Sequence, residues 1–225
     1  LSPPRSGTTL LRVMLAGHPR LFAPPELELL SFNTLTERRA AFTGKDSFWL
    51  EGTLRAIMEI KSCETHEAQQ IMHSMEERGL TTKECYRQLQ AWLGERILVD
   101  KTPSYVLDQT VLERAEVDFE NALYVHLLRH PAGMVRSFEE AKLDQIFFRY
   151  EHSHSRRELA EVIWTLSHRN IVEFLQHVPR ERQHRVKFED LLRQPQPVME
   201  SLCRFLGLSL HADMLQPYKD SERRM

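Results

Sequence analysis

Three candidate strands, two of them short apolar runs, restrict the fold of this 225-residue chain more than any other feature, and segments with helical patterns separate them. The candidate strands lie at Ile97–Val99, Ala122–Leu128 and Arg185–Phe188. The first two are nearly continuous rather than alternating in polarity, which is typical of strands buried on both faces of a parallel sheet. Because helical patterns separate all three candidate strands, the sequence predicts an α/β layered fold with a parallel sheet.

The helical segments carry recognisable start and stop signals. Thr8–Gly17 has an apolar face and ends on a glycine, which is a natural helix stop. The polar-rich stretch Glu26–Gly79 is predicted to be helical, with its last helix ending at Gly79. Thr81 and Glu84 have the spacing of a capping box and therefore predict the start of a further helix.

Charge and composition exclude several classes of protein. The 30 Lys and Arg residues nearly balance 32 Asp and Glu residues, and a net charge of −2 argues against a protein that coats nucleic acid. A hydrophobic content of 41% excludes wholesale disorder. The sequence predicts no membrane-spanning helix and shows no signal peptide. The odd number and wide spacing of Cys63, Cys85 and Cys203 favour a reducing interior, so we predict a cytoplasmic location.

Ligands of open parallel sheets bind beyond the carboxyl ends of the strands, so the informative residues are those that follow each strand. Three segments meet this condition. They are Pro3–Thr9, Asp100–Tyr105 and Arg129–Ser137.

The Pro3–Thr9 loop runs directly into the first predicted helix. Gly7 permits a tight turn, and backbone N–H groups at a helix N-terminus bind anions. Arg5, Thr8 and Thr9 can add a guanidinium and two hydroxyls. The loop lacks the first glycine and the lysine of a Walker A motif. Its residues alone leave two interpretations open, a phosphate site and an ordinary capped helix.

Arg129 follows the second apolar run, and Ser137 lies eight residues further on, in the next predicted helix. An arginine and a hydroxyl at this offset can bind a second phosphate. The alternative is a strand-terminal arginine on the surface with a solvated serine.

Together, Pro-x-Arg-Ser-Gly-Thr-Thr and Leu-Arg-x-Pro-(x)5-Ser resemble the sulfotransferases that use 3′-phosphoadenosine 5′-phosphosulfate (PAPS) and release 3′-phosphoadenosine 5′-phosphate (PAP). The resemblance implies a P-loop-like three-layer fold, with a central parallel sheet flanked by helices. It implies that Arg129 and Ser137 bind the 3′-phosphate. The Lys187–Leu192 segment is similar to the family's Tyr-Glu-Asp-Leu segment, with Phe188 in place of the tyrosine. The residues implied to bind the 5′-phosphosulfate are Arg5, Ser6, Gly7, Thr8 and Thr9.

The same resemblance implies three catalytic residues. The small-molecule enzymes use the histidine of a Lys-Thr-His segment as the catalytic base. This chain has Lys101-Thr102-Pro103 instead, so it keeps the lysine and lacks the histidine. Lys101 is then expected to stabilise the bridging oxygen of the leaving phosphate, and Arg5 is assigned to catalysis as well. Similarity to the tyrosylprotein type places the base on Glu26, at a predicted helix start, with Glu28 as the alternative.

A closer resemblance, carried by Arg5–Pro19 and Pro24–Leu27, is to the activating sulfotransferase domains of the cyanobacterial olefin synthase and curacin-type polyketide synthases. It implies sulfation of the β-hydroxyl of an acyl chain on an acyl carrier protein. A neighbouring thioesterase domain then releases a terminal alkene by decarboxylative elimination. Nucleic acid and membrane are not expected as partners. The alternatives are a carbohydrate or tyrosyl acceptor, and a nucleotide-binding module without chemistry.

We expect residues 1–225 to form one sulfotransferase domain, incompletely covered, of a larger modular synthase. Residues 139–157 combine aromatic and charged side chains, which suits an active-site flap over an acyl chain or a half-buried amphipathic helix. His152 and His154 lie in this segment, but two histidines without further ligands do not predict a metal site.

Overall fold

Helices dominate the computed structural model, which describes residues 1–147 and 152–219. Short 3₁₀ turns cover Gly44–Leu50, Pro103–Leu107, Arg180–Arg182 and Ala212–Leu215. The α-helices in the described part of the chain are α1 (Thr8–Ala16), α2 (Leu35–Ala41), α3 (Glu51–Lys61), α4 (Thr65–Glu77), α5 (Thr82–Leu93), α6 (Gln109–Asp118), α7 (Pro131–Glu140), α8 (Asp144–Phe147), α9 (Arg156–Gln176), α10 (Phe188–Arg193) and α11 (Pro195–Phe205).

Four strands form two parallel pairs among these residues. β1 (Leu21–Phe22) pairs with β2 (Ile97–Leu98), and β3 (Tyr124–Leu128) pairs with β4 (Gln183–Lys187). Leu1 also bonds to β3, since its amino group donates to the Val125 carbonyl (2.7 Å) and its carbonyl accepts from the Leu127 N–H (3.0 Å). This is the bonding pattern of one residue in a parallel ladder.

Residues of the first compact unit, Leu1–Thr9 and Pro103–Leu210, include β3, β4 and the helices from α6 to α11. Its core contains a cluster in which α7 packs on α9. The buried side chains of this cluster are Met134, Val135, Phe138, Ala160 and Ile163. This packing fixes α7, the helix that follows β3, and with it the position of Ser137.

Residues of the second compact unit, Leu10–Thr102 with the chain from His211, include most of α1, both short strands and α2 to α5. Here α3 packs against α4 and α5. Its fully buried side chains include Leu27, Leu29, Leu35, Ile57 and Leu89. Leu27 and Leu29 belong to an irregular segment rather than a helix, so the core holds that segment in place.

Several predicted elements are confirmed. α1 begins at Thr8, and the Thr81–Glu84 capping box is present at the start of α5, with both reciprocal bonds made. All three predicted strands exist and pair in parallel, although Phe188 starts α10 instead of ending β4. The fold is therefore mixed α/β, helix-rich, with parallel strands. The three-layer arrangement around one sheet and the single 1–225 domain stay predictions.

One expectation in the Glu26–Gly79 stretch is wrong, and one strand outside this stretch was missed. Glu26 does not start a helix, because the backbone from residue 23 to residue 29 is irregular and its carbonyls bond to side chains from neighbouring helices. The strand β1 was not predicted, because two residues followed closely by Pro24 and Pro25 give no periodic signal.

The expected flap falls partly outside the described residues. α7 ends at Glu140, α8 covers Asp144–Phe147, and α9 begins at Arg156, which forms an ion pair with Asp144 (3.1 Å). Phe148 and Tyr150 lie outside the described residues. The flap stays a prediction. None of the helices in the described part of the chain combines the length and apolar character needed to cross a bilayer.

A buried histidine pair lies in the first unit. His126 of β3 and His168 of α9 are joined by a hydrogen bond between Nε2 and Nδ1 (3.1 Å). Burial lowers the pKa of His126 to about 3 and that of His168 to about 4, both well below the ordinary value of 6.5. Both rings are therefore neutral in the folded protein at neutral pH.

We expect this pair to make the folded protein acid-sensitive. Below pH 6.5 the unfolded chain binds protons at these histidines that the folded chain excludes, until the pH reaches about 4. As the pH is lowered through this window, the free energy of unfolding should therefore decrease, by up to about 1.4 kcal/mol per pH unit for each histidine. Urea titrations at a series of pH values measure this slope. His168→Gln should reduce this pH dependence, whereas His73→Gln, at an exposed site, should leave it unchanged. A free energy of unfolding that stays constant between pH 7 and 5 would contradict the expectation.

Candidate active site

The Pro3–Thr9 loop adopts an unusual backbone. Arg5 and Gly7 have φ values of 62° and 87°, in the left-handed region that a non-glycine residue such as Arg5 seldom adopts. Gly7 also has no room for a side chain, because a Cβ there would lie 2.1 Å from Cε2 of Phe188. The turn ends at Thr8, where α1 begins, so the loop leads into a helix N-terminus.

Arg129 and Phe188 lie next to each other because of the strand register. Leu128 of β3 and Lys187 of β4 are partners, so the residues that follow them leave the sheet side by side. The Arg129 guanidinium lies over the Phe188 ring, with Cζ 4.7 Å from the ring centroid. Partial burial lowers the pKa of Arg129, and the Glu189 carboxylate opposes this shift.

Hydrogen bonds connect the loop to this strand end. Arg129 Nη1 donates to the Arg5 carbonyl (2.5 Å), and Arg5 Nε donates to Ser137 Oγ (3.2 Å). Trp164 fixes the backbone from the other side, since its indole N–H donates to the Arg129 carbonyl (3.2 Å). The structure therefore brings together Arg5, Arg129 and Ser137, which the sequence assigned to two phosphates.

The remaining loop residues differ in accessibility. Thr9 is exposed, Gly7 and Thr8 are half-buried, and Ser6 is fully buried. Ser6 Oγ has no hydrogen-bond partner among the described residues. Whether these residues bind a nucleotide stays a prediction.

Phe188 is expected to support nucleotide binding through its contacts with Gly7 and Arg129. Phe188→Ala removes the ring that holds both, and a cation–π contact alone contributes about 0.5–1 kcal/mol at a partly exposed site. PAP should then bind about 2- to 5-fold more weakly in calorimetry. Phe188→Tyr should bind normally because it keeps the ring. Leu192→Ala, on an exposed position of the same helix, is the control; unchanged PAP affinity in Phe188→Ala would sink the expectation.

The second unit holds the other predicted catalytic residues. Lys101, which follows β2, donates a hydrogen bond to the Glu26 carboxylate, and the two form an ion pair. The Lys101 side chain is only 12% exposed, against 34% for Glu26. Burial lowers the pKa of Lys101, while the charge and hydrogen bond of Glu26 oppose the shift.

The turn that presents Lys101 is held by Asp100. This carboxylate accepts hydrogen bonds from the Tyr86 hydroxyl and from Thr102 Oγ1, the latter at 2.7 Å. Tyr86 is 5% exposed and belongs to the packed face of α5. These two bonds hold the turn that carries the Lys101 ammonium group.

The Glu26 segment is positioned by buried side chains that sequence reasoning missed. Arg38 of α2 is 1% exposed and donates to the carbonyls of Leu27 and Glu28, both at 2.8 Å. Gly52 of α3 lies against the Glu26 backbone, since a Cβ there would be 1.8 Å from the Glu26 carbonyl oxygen. No local sequence signal indicates these contacts, because Arg38 and Gly52 meet the Glu26 segment from other helices.

The alternative base, Glu28, has a different environment. It is 4% exposed and has a φ of 49°, and the carbonyl of this residue accepts from Arg38. Glu26 is more accessible and is the carboxylate that pairs with Lys101. Its position therefore suits proton exchange with a bound molecule better.

A cavity of about 820 Å³ lies beside this segment within the second unit. Its lining combines apolar and charged side chains, among them Phe22, Pro24, Pro25, Met58, Arg12 and Arg96. Among the described residues, no three His, Cys, Asp or Glu side chains form a group that could hold a metal ion.

Comparison with known proteins places the chain in a family. The family model described as "Sulfotransferase family" matches residues 1–212. The chain belongs to the sulfotransferase family. The match includes every residue assigned to the two groups described above.

Two solved structures resemble this sulfotransferase over 96% of its length. One is the sulfotransferase domain from the curacin biosynthetic pathway, with 39% identity, a TM-score of 0.91 and 75% of that chain covered. The other is the sulfotransferase domain from the Synechococcus PCC 7002 olefin synthase, with 38% identity, a TM-score of 0.89 and 74% covered. Family and neighbours together support a sulfotransferase enzyme.

A curated relative is the nodulation protein NoeE of Sinorhizobium fredii (strain NBRC 101917 / NGR234). It is 31% identical over 143 residues, which make up 62% of this chain. The chain spans only 30% of the length of that relative.

Proposed function

We propose that this sulfotransferase moves a sulfo group from PAPS to the β-hydroxyl of an acyl chain carried by an acyl carrier protein. The sulfate then serves as a leaving group for decarboxylative elimination to a terminal alkene. The observation that carries the proposal is the similarity, over 96% of the chain, to the sulfotransferase domains of the curacin pathway and an olefin synthase.

The residues of the first unit fit PAPS as the sulfo donor. Arg5 and Arg129 supply two guanidinium groups, and Ser137 supplies a hydroxyl. Gly7 packs against Phe188 and leads into the N-terminus of α1, where backbone N–H groups can bind a phosphate. We assign the 5′-phosphosulfate to Arg5, Ser6, Gly7, Thr8 and Thr9. The 3′-phosphate is assigned to Arg129 and Ser137.

When bound, PAPS supplies an activated sulfo group on a phosphate leaving group. Glu26 takes the proton of the acceptor hydroxyl as that oxygen forms its bond to sulfur. The S–O bond between the sulfo group and the phosphate breaks, and the phosphate oxygen keeps the electron pair as PAP forms. Lys101 and Arg5 stabilise the negative charge on this oxygen. Positioning and fixed charge therefore provide most of the rate enhancement.

The acceptor is assigned from the synthase neighbours. The proposed partners are a carrier protein with a β-hydroxyacyl chain and a neighbouring thioesterase domain. We further propose that the enzyme is cytoplasmic and has a P-loop-like three-layer fold. It would form one domain of a larger synthase, with residues 139–157 as an active-site flap.

An acceptor panel tests this assignment. The chain is incubated with PAPS and, separately, with a β-hydroxyacyl carrier protein, a tyrosyl peptide and an oligosaccharide, and PAP release is followed. We expect acceptor-dependent release with the carrier protein alone. Release stimulated by the peptide or the oligosaccharide and not by the carrier would replace the proposed acceptor with one of these alternatives.

A further inference from the structure

Arg12 is a buried charge that the reaction described above does not use. It lies in α1 between apolar neighbours and is 4% exposed. Burying a guanidinium is costly unless it is paired or hydrogen-bonded, so its partners define its purpose. Its Nη1 donates to the Ala23 carbonyl at 2.9 Å. Burial lowers the pKa of Arg12, and the charges of Glu26 and Glu59 oppose that shift.

The Ala23 carbonyl marks one end of the segment that carries Glu26. At the other end, Arg38 holds the Leu27 and Glu28 carbonyls, and Thr53 Oγ1 also donates to Leu27 at 2.9 Å. Glu26 therefore lies between two buried arginines that come from different helices. Pro24 and Pro25 restrict the backbone between these two anchor points.

The two anchors have different surroundings. Arg38 has several acceptors, including the Trp49 carbonyl (3.0 Å) and Thr53 Oγ1 (3.1 Å). Arg12 Nε, by contrast, is buried without a hydrogen-bond partner among the described residues. The Ala23 contact and the electrostatic attraction of Glu26 and Glu59 are thus the interactions that offset the burial of Arg12.

We infer that Arg12 is a positioning residue for the base. It fixes the Ala23 end of the segment, so that the Glu26 carboxylate is held next to Lys101 and aimed at the acceptor hydroxyl. A misplacement of about 1 Å at a reacting group can cost about 100-fold in rate. The inference rests on the proposed role of Glu26, and it assigns no contact between Arg12 and the nucleotide.

Arg12→Met tests the inference because methionine fills similar space without a donor or a charge. We expect kcat to fall about 10- to 100-fold, with the Kd of PAP within about twofold of the native value. Amide hydrogen exchange should accelerate in the peptide containing residues 23–29. Arg12→Lys, which keeps the charge, should have an intermediate kcat. Arg39→Met, which removes an exposed arginine of α2 paired with Glu76, is the matched control.

Native kcat in a folded Arg12→Met protein would overturn the inference. Equal losses of kcat and PAP affinity would also overturn it, because they indicate a general structural defect. If Arg12→Met does not fold, Arg12→Lys decides. Reduced kcat with native PAP affinity supports a need for the guanidinium, and full kcat with native exchange overturns it.

A double variant separates this inference from the proposed function. If Arg12 acts through Glu26, adding Arg12→Met to Glu26→Gln should lower kcat little further, because the two residues work as one unit. Losses that multiply would show that Arg12 acts by another route. A Glu26→Gln protein with native turnover would instead remove the base assignment itself, whereas the exchange of residues 23–29 would still report on the anchoring.

Discussion

Replacing Glu26 by glutamine should lower the turnover of sulfo transfer by roughly 10²–10⁴-fold, the usual contribution of a general base. The amide has nearly the same shape as the carboxylate, but it cannot take the proton of the acceptor hydroxyl. The Kd of PAP, measured by calorimetry, should stay within about twofold, because we assign PAP binding to residues of the Pro3–Thr9 loop, to Arg129 and to Ser137. Steady-state kinetics with saturating PAPS give the turnover.

Glu28→Gln is the matched control for this change. Glu28 is two residues away and is 4% exposed. We expect its replacement to affect stability more than turnover. If Glu28→Gln loses turnover as severely as predicted for Glu26→Gln, while Glu26→Gln retains it, the base is Glu28 and the assignment is wrong.

Arg129→Met should weaken PAP binding about 10- to 100-fold. A hydrogen bond to a charged group contributes about 1.5–3 kcal/mol, and this guanidinium is assigned to the 3′-phosphate. The loss should depend on that phosphate, so 5′-AMP, which lacks it, should bind the variant and the native protein equally. Calorimetric titration with both nucleotides measures the difference.

Arg136→Met provides the control for Arg129→Met. Arg136 is an exposed arginine of α7 that pairs with Glu140 at 2.9 Å, one residue before Ser137. We expect its replacement to leave the affinity for PAP unchanged. Equal losses for PAP and 5′-AMP in Arg129→Met would mean that Arg129 only supports the loop through the Arg5 carbonyl.

Much of the fold was predictable because its signals are local. The Thr81–Glu84 capping box needs only four residues, and the apolar run before Arg129 is a strand by composition alone. The left-handed turn at Gly7 could likewise be anticipated from a glycine before a helix start.

The contacts that build the candidate site are not local. Arg5 meets Ser137 across 132 residues, and Lys101 meets Glu26 across 75. Motif resemblance grouped these residues, but residue spacing alone could not. The irregular backbone at Glu26 was unpredictable for a similar reason, because Arg38 and Gly52 favour that path over a helix through tertiary contacts.

Intact-mass spectrometry of a β-hydroxyacyl carrier protein, incubated with PAPS and this chain, reports directly whether the β-hydroxyl is sulfated. We expect the acyl-loaded carrier to gain one sulfo group and a carrier without a β-hydroxyl to gain none, and we expect Glu26→Gln to abolish most of the gain. An unmodified carrier, under conditions in which the same protein binds PAP and sulfates a tyrosyl or carbohydrate acceptor, would contradict this expectation.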